Sequence, residues 1–330
     1  MRAVMVERPG PADVLRVTEA PEPIPGDGEL SIDVEYAGVG FVDTLFRRGD
    51  FALPAPFIPG LEVTGRVRAL GAGVSRFTAG QPVAALLNDF GRGPRAGGYA
   101  EVAVAHASMA TPVPAGSDLA TVAAALVNGV TGWLALRDQA RLRSGEDVLV
   151  LGASGGLGGT VSRLAALHPA GRVIGVVGSQ SRRAQAAAEC TEVVLADEMV
   201  AAVDRLTGGR GVDVVIDAVG GELRAKAFEQ LAPFGRLVVL GNASGDDPPL
   251  SGDALWHGTR QVSGLSLGGV AHLVPERVGA ALTALVLLLH RGVPRQPRPT
   301  VAPLERAAEV HRALEHRTAP AKTVLATRAD

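Results

Sequence analysis

The sequence predicts an α/β protein that joins a doubly wound parallel sheet to a mostly antiparallel β domain. Between residues 147 and 267, short apolar runs alternate with helical stretches, which is typical of a parallel sheet covered by helices on both faces. Residues 1 to about 120 instead show short β-like runs separated by segments rich in proline and glycine. A glycine-rich turn directly follows the first apolar run of the alternating region.

Composition excludes several classes of protein. The chain has 330 residues, which predicts two domains, and a net charge of −2, which argues against a nucleic-acid or membrane partner. A single cysteine, Cys190, excludes an internal disulfide and a four-cysteine zinc lobe. The longest apolar run, near residues 280–289, is too short to span a bilayer. The charged N-terminal segment does not resemble a signal peptide, so we expect a cytoplasmic protein.

The apolar runs of the first 120 residues predict strands, and no helical period is visible among them. The strands are expected at residues 2–6, 30–37, 61–70, 83–87 and 99–104. At Asp118 the pattern changes to one long apolar helix that extends to residue 140.

The alternating region predicts strands of a parallel sheet with helices between them. The strands are expected at residues 147–151, 172–177, 192–195, 212–217, 236–240 and 261–267. Two helices, at residues 275–290 and 304–316, and a last strand at residues 322–326 follow.

The glycine-rich turn lies between a predicted strand and a predicted helix at residues 159–167. Its spacing is Ala153-x-Gly155-x-x-Gly158, with alanine where the strict G-x-G-x-x-G pattern has its first glycine. Glycines let the backbone approach a pyrophosphate, and the free N–H groups of a helix N-terminus favour its negative charge. The turn therefore predicts a dinucleotide site. Its candidate contacts are Ser154, Gly155, Gly156 and Leu157.

The end of the second strand of this region indicates which dinucleotide binds. NAD sites usually carry Asp or Glu there, to bind the ribose 2′-hydroxyl. This chain has no acidic residue between Gly158 and Glu189, and a small hydroxyl and two guanidiniums stand in that place. Because those groups suit a 2′-phosphate, we predict NADP(H) rather than NAD(H), the alternative being a solvated basic start to the next helix. The candidate contacts are Gly178, Ser179, Arg182 and Arg183.

A set of motifs, taken in order, resembles one family. They are GPADVLRV (10–17), FVDTLFRRG (41–49), PFIPGLEVTGRV (56–67), GGYAE (97–101), GRGVDVVIDAVGG (209–221), LAPFGRLVVLGNASG (231–245) and PLERAAEVHRALE (303–315), together with the glycine-rich turn. With them the chain resembles the zinc-free quinone oxidoreductases of the medium-chain dehydrogenase/reductase superfamily. The resemblance implies a GroES-like substrate domain from residues 1–120 and 270–330. It also implies a Rossmann domain for NADP(H) inserted at residues 121–269, with the active site between the two domains.

The resemblance also implies a reaction without zinc. Zinc-containing members place a ligand Cys at the position of Gly40 and a ligand His at the position of Leu61, and neither residue can bind a metal. Without a Lewis acid, the expected substrate is a quinone or an α,β-unsaturated carbonyl, since these acceptors need least polarisation before NADPH reduces them. The alternative is a non-catalytic NADPH-binding sensor or structural protein of the crystallin type. Relatives pair the strand near residues 261–267 across a two-fold axis, which implies a homodimer.

Further cofactor contacts follow from the resemblance by position. They are Thr131, Gly241, Asn242, Ala243, Leu267 and Lys322. Plainer interpretations remain open for three of them: Thr131 bonds a backbone carbonyl, Asn242 forms an ordinary turn, or Lys322 is a solvated charge.

The chain departs from the family pattern where the substrate is expected. Quinone reductases commonly carry Asn at the position of Gly40 and Tyr at the position of Leu45, so their absence implies a larger, more apolar pocket for a bulky acceptor. The remaining polar candidates for the pocket or for catalysis are Asp43, Asn88, Tyr99 and His257. Asp43 is more readily interpreted as structural, and the helix face that carries His311 and His316 is expected to be solvated.

Overall fold

A computed structural model describes residues 1–51, 53–87, 97–168, 170–186, 188–319 and 321–328. The chain forms two compact units. The first comprises Met1–Val127 and Val270–Asp330, and the second comprises Asn128–Gly269. The second unit is therefore inserted into the sequence of the first.

The first unit begins with a β-rich segment. Its strands are β1 (Arg2–Val6), β2 (Leu15–Glu19), β3 (Glu29–Gly38), β4 (Glu62–Leu70), β5 (Pro82–Leu86), β6 (Val102–His106) and β7 (Ala110–Pro112). The strands expected from the sequence are confirmed, although β6 lies slightly later than expected, and β2 and β7 are additional. In the first part of β3 alternate side chains enter the core, since Leu30, Ile32 and Val34 are fully buried.

Helix α1 (Phe41–Arg48) also belongs to this segment, and the sequence does not predict it. Its inner face carries Asp43, Thr44 and Arg47, which are polar but buried, so the apolar period of an ordinary amphipathic helix is missing. The helix ends at Gly49, whose φ of 88° places it in the left-handed region that favours glycine.

The elements between residues 119 and 270 follow in chain order. They are α2 (Leu119–Ala123), α3 (Leu126–Leu134), β8 (Val148–Leu151), α4 (Gly156–Leu167), β9 (Val173–Val177), α5 (Arg183–Ala186), β10 (Glu192–Leu195), α6 (Met199–Thr207), β11 (Val212–Asp217), α7 (Gly221–Glu229), β12 (Leu231–Val239), α8 (Gly252–Gly258), β13 (Gln261–Gly264) and α9 (Leu267–Val270).

The described strands of the second unit form a parallel sheet in the order β10-β9-β8-β11-β12-β13. This is the strand order of a doubly wound dinucleotide-binding fold, which confirms the predicted class. The strands β8 and β9 are buried along their whole length, as expected where helices cover both faces of a sheet. The strand β13 lies at the edge.

Two predictions of local structure are wrong. The expected helix at residues 119–140 is interrupted between α2 and α3, where the Ala125 N–H bonds the Val122 carbonyl three residues back. It then widens into a π-helical turn over residues 135–139. The strand expected at residues 261–267 ends at Gly264, and Leu267 instead begins α9.

The tail returns to the first unit. It contains α10 (Pro275–His290), β14 (Thr300–Pro303), α11 (Ala307–Glu315) and β15 (Thr323–Ala326). The sheet of the first unit has the order β14-β15-β3-β4-β5-β7, with β6 also paired to β3. The strand β15, near the end of the sequence, therefore pairs with β3 of the N-terminal segment. No helix among the described residues is both long and apolar enough to cross a membrane.

Candidate functional site

The turn between β8 and α4 forms a cradle of backbone groups. A Cβ on Gly158 would lie 2.2 Å from the Gly152 carbonyl oxygen, so only glycine allows α4 to pack this closely on the turn. Gly155 and Gly156 are exposed, and Ser154 and Leu157 are half-buried beside them. The first N–H groups of a helix have no partner within it and carry its positive dipole end. The cradle therefore fits the pyrophosphate of a dinucleotide.

The alanine in the motif has a local explanation. The tight turn is made by Gly152, which has a φ of 69°, one residue before the position where the strict motif has its first glycine. Ala153 is buried, and its N–H donates to the Val176 carbonyl of β9 at 3.0 Å. A methyl group is therefore tolerated at this position.

The segment after β9 carries the candidate groups for a ribose 2′-phosphate. Gly178 is exposed, and the hydroxyl groups of Ser179 and Ser181 lie 3.1 Å apart. Arg182, which is half-buried, closes a short 3₁₀ turn over Gln180–Arg182. All of these residues follow the carboxyl end of a strand, where ligands of such sheets bind.

Arg183 is engaged within the second unit. Its guanidinium bonds the Glu198 carboxylate, the Gln180 side-chain oxygen at 3.2 Å and the Val193 carbonyl at 3.2 Å. Arg183 and Glu198 lie fifteen residues apart, with β10 between them in the sequence, so the residues that follow β9 do not indicate this pair. Glu198 therefore offsets part of the charge of Arg183, and both arginines stay candidates for phosphate recognition.

The other cofactor candidates of the second unit occupy different environments. Asn242 and Ala243 are exposed on the segment after β12, and Gly241 is half-buried before them. Thr131 is buried on α3, and Leu267 is buried at the start of α9. Their contacts with a cofactor stay predictions from the resemblance.

A charged cluster in the first unit surrounds Gly40. The Lys322 ammonium donates to the buried Glu62 carboxylate at 2.7 Å, and the second oxygen of Glu62 accepts the Val127 N–H at 2.6 Å. A Cβ on Gly40 would lie 3.8 Å from the Lys322 nitrogen and 3.4 Å from an Asp43 oxygen. Lys322 is therefore held by a buried partner rather than solvated, and a side chain at position 40 would lie in contact with both charged groups.

Asp43 is a buried carboxyl group with an altered affinity for protons. Its Oδ2 accepts the Gly40 N–H at 2.7 Å, which caps the start of α1. Burial raises the pKa of Asp43 from 3.8 to about 7, because the Gly40 N–H and the Lys322 charge offset the loss of hydration only in part. Asp43 thus combines the expected structural role with titration near neutral pH.

The prediction that His311 is solvated is wrong. The ring is fully buried, and its Nε2 lies 3.1 Å from the Tyr99 hydroxyl group, which is also buried. Burial, together with the charge of Arg47, lowers the pKa of His311 to about 3, and burial raises the pKa of Tyr99. Tyr99 is therefore a core residue, and the sequence candidate for catalysis has no exposed surface from which to act. His316 is exposed as expected.

The remaining candidates for the pocket and for catalysis are dispersed. Leu45 is half-buried on α1, one turn from Gly40. His257 is exposed on α8 of the second unit, with its ring centroid 4.2 Å from that of Trp256. Asn88 lies outside the described residues. Within the described ranges, no cluster of His, Cys, Asp and Glu could hold a metal ion.

Comparison with known proteins identifies the family. Residues 26–115 match the alcohol dehydrogenase GroES-like domain, and residues 156–285 match the zinc-binding dehydrogenase domain. The quinone oxidoreductase of Pseudomonas aeruginosa is 32% identical over 326 residues, which cover 96% of each chain. Fold and site define a dehydrogenase/reductase of the medium-chain superfamily. Within that superfamily, the chain belongs to the zinc-independent quinone oxidoreductases.

A longer relative and two solved structures extend the comparison. The mouse synaptic vesicle membrane protein VAT-1 homolog-like is 32% identical over 74% of this chain, which spans only 57% of that protein. The Escherichia coli quinone oxidoreductase complexed with NADPH is 27% identical, with a TM-score of 0.88, covering 99% of this chain and 100% of that one. A mycobacterial protein complexed with NADPH is 30% identical, with the same score and coverage. Together with the backbone cradle, these likenesses establish that the chain binds NADP(H).

Proposed function

We propose that this protein is an NADPH-dependent reductase of quinones or α,β-unsaturated carbonyl compounds that acts without a metal ion. The observation that carries the proposal is the ammonium group of Lys322, held by Glu62 beside Gly40. In zinc-containing relatives the position of Gly40 carries a metal ligand. A cation fixed by a buried carboxylate can stabilise a negatively charged oxygen in place of a metal.

The role of the protein follows from the charge that the reaction creates. NADPH, when bound, supplies a hydride to the electrophilic carbon of the acceptor. Negative charge then develops on the carbonyl or quinone oxygen. An ammonium group has three N–H donors, and Glu62 accepts one of them at 2.7 Å, so Lys322 can also donate to that oxygen.

The absence of a side chain at Gly40 supports a bulky acceptor. The backbone of Gly40 is extended, with a φ of −111° and a ψ of 159°, so a larger residue could stand there without strain. A Cβ would meet no atom closer than 3.4 Å. Glycine is therefore not required by the fold, and it omits the side-chain volume that a larger residue would occupy beside Lys322.

The proposal is tested by NADPH consumption with a panel of quinones and α,β-unsaturated ketones of different size. We expect turnover to depend on the acceptor and to be best with large apolar ones. Tight NADPH binding without reduction of any acceptor would instead favour a sensor or structural protein.

The assigned role of Lys322 has its own matched variants. Changing Lys322→Met together with Glu62→Gln removes the ammonium without leaving a buried carboxylate unpaired. We expect kcat to fall by about tenfold to a hundredfold while the KM for NADPH changes little. Lys226→Met is the control, because Lys226, the other lysine of the chain, forms an exposed pair with Glu222. This variant should change neither kcat nor the KM for NADPH. An unaltered kcat in the double variant would contradict the assignment.

A further inference from the structure

Two segments at the carboxyl edge of the sheet of the second unit are bonded to each other. Residues 217–221 connect the end of β11 to the start of α7, and residues 240–247 follow β12. Ligands of open parallel sheets bind outside the carboxyl ends of the strands, so both segments border the nucleotide site. Four backbone N–H groups bond across them: Leu240 to Asp217 at 2.6 Å, Ala243 to Ala218 at 3.2 Å, Ser244 to Val219 at 2.8 Å and Gly221 to Asp246 at 2.9 Å.

The side chain of Arg224, on α7, bonds to both segments. Its Nε donates to Asp217 Oδ2 at 2.5 Å, and one terminal nitrogen donates to the Gly241 carbonyl at 2.8 Å. The other terminal nitrogen bonds the Asp247 carboxylate. Asp217 is fully buried and Arg224 almost so, whereas Asp247 is exposed. The Arg224 guanidinium therefore links the buried carboxylate of Asp217, the backbone carbonyl of Gly241 and the exposed carboxylate of Asp247.

The other oxygen of Asp217 fixes the first segment in turn. It accepts the N–H groups of Val219 at 2.7 Å and of Gly220 at 3.0 Å. Gly220 has a φ of 80°, and a Cβ there would lie 2.0 Å from the Asn242 side-chain oxygen. The two segments thus fit closely, and a shift of either one displaces the backbone around Asn242.

We infer that Arg224 is a positioning residue for NADP(H). It holds the backbone of residues 241–243 in the conformation that receives the dinucleotide, and this order precedes binding. A preordered segment binds more tightly, because ordering it does not have to accompany association. The inference rests on cofactor binding and not on the identity of the acceptor. Since Arg224 acts through the backbone, it supports NADPH and NADH alike.

The test is to titrate the protein with NADPH and, separately, with NADH in the absence of an acceptor. Binding is monitored by the change in cofactor fluorescence. Arg224→Met should raise the Kd for NADPH and the Kd for NADH by similar factors of about tenfold or more. Asp247→Asn weakens the bond between Arg224 and its exposed partner. It should raise both Kd values by a smaller factor than Arg224→Met does.

Arg260→Met is the matched control. Arg260 also makes three bonds within the second unit, to the Glu229 carboxylate and to the carbonyls of Glu229 and Leu231, but at the amino end of β12. Its loss should leave both Kd values unchanged even if it lowers Tm, which separates positioning from general stability.

A folded Arg224→Met variant with both Kd values within about twofold of the original would overturn the inference. A rise for NADPH alone would also overturn it, because it would mean direct contact with the 2′-phosphate. If Arg224→Met does not fold, Asp247→Asn decides, and unchanged Kd values then contradict the inference. Failure to reduce any acceptor would leave these Kd values as expected, so it would contradict only the proposed function.

Discussion

The buried carboxyl group of Asp43 should make the first unit less stable as pH rises. In the folded protein burial raises the pKa of Asp43 from 3.8 to about 7, so folded Asp43 keeps its proton where unfolded Asp43 has released it. Between these two values the folded state binds more protons, and the free energy of unfolding falls with rising pH. The loss begins near pH 4 and is complete above about pH 7.

The magnitude follows from the two pKa values. A difference between 3.8 and about 7 corresponds to about 4 kcal/mol, at about 1.4 kcal/mol per pH unit. Asp43→Asn removes the titrating group but keeps an oxygen that can accept the Gly40 N–H. The free energy of unfolding of the variant, relative to the original protein, should therefore rise by about 4 kcal/mol between pH 4 and pH 8.

Urea unfolding at several pH values measures this difference. Both tryptophans, Trp133 and Trp256, lie in the second unit, so their fluorescence follows that unit and far-UV circular dichroism follows both. Asp27→Asn, at an exposed carboxylate of the first unit, is the control and should leave the pH profile unchanged. Parallel profiles for Asp43→Asn and the original protein would refute the reasoning.

Other predictions concern the cofactor, the pocket and the assembly. Arg182→Ala should raise the Kd for NADPH about tenfold to a hundredfold and leave that for NADH unchanged, since a charge-assisted bond contributes about 1.5–3 kcal/mol. Arg205→Ala is the control, because Arg205 pairs with Glu192 at the amino end of β10, away from the carboxyl ends of the strands. An equal rise in Kd for both cofactors in Arg182→Ala would exclude phosphate recognition by Arg182. Gly40→Asn with Leu45→Tyr should reverse a preference for bulky over small acceptors in kcat/KM, and an unchanged order would mean that neither position lines the pocket. The exposed edge strand β13 should pair with a second copy, so light scattering should detect a dimer, whereas a stable monomer at micromolar concentration would contradict that pairing.

The sequence predicts most of the doubly wound sheet because its strands are continuous apolar runs. The strands β10 and β11 and the helix α10 have the expected bounds. Helix α1 is not predictable in this way, because its buried face is formed by polar side chains such as Asp43 and Arg47. The end of β13 is also mispredicted, since the alternation of apolar and other residues continues through Leu265 and Leu267 although the strand ends at Gly264.

The candidate site is predicted only where it is local in sequence. The cradle lies within eleven consecutive residues, and its strand, turn and helix are readable from spacing alone. The pair of Lys322 and Glu62 joins residues 260 positions apart, and no pattern in the sequence brings them together. Arg224 and Asp217 are closer along the chain, but their shared bonds to the segment after β12 depend on the order of strands in the sheet.

The most direct test of the proposed function is the fate of the hydrogen that leaves nicotinamide C4 of NADPH as a hydride. The protein is first treated with a chelator, then supplied with a bulky α,β-unsaturated ketone and NADPH that carries deuterium at both C4 positions. We predict deuterium on the β carbon of the product, a proton from solvent on the α carbon, and no change on adding zinc. Absence of deuterium from the product, or its transfer only after zinc is added, would contradict a metal-independent reductase.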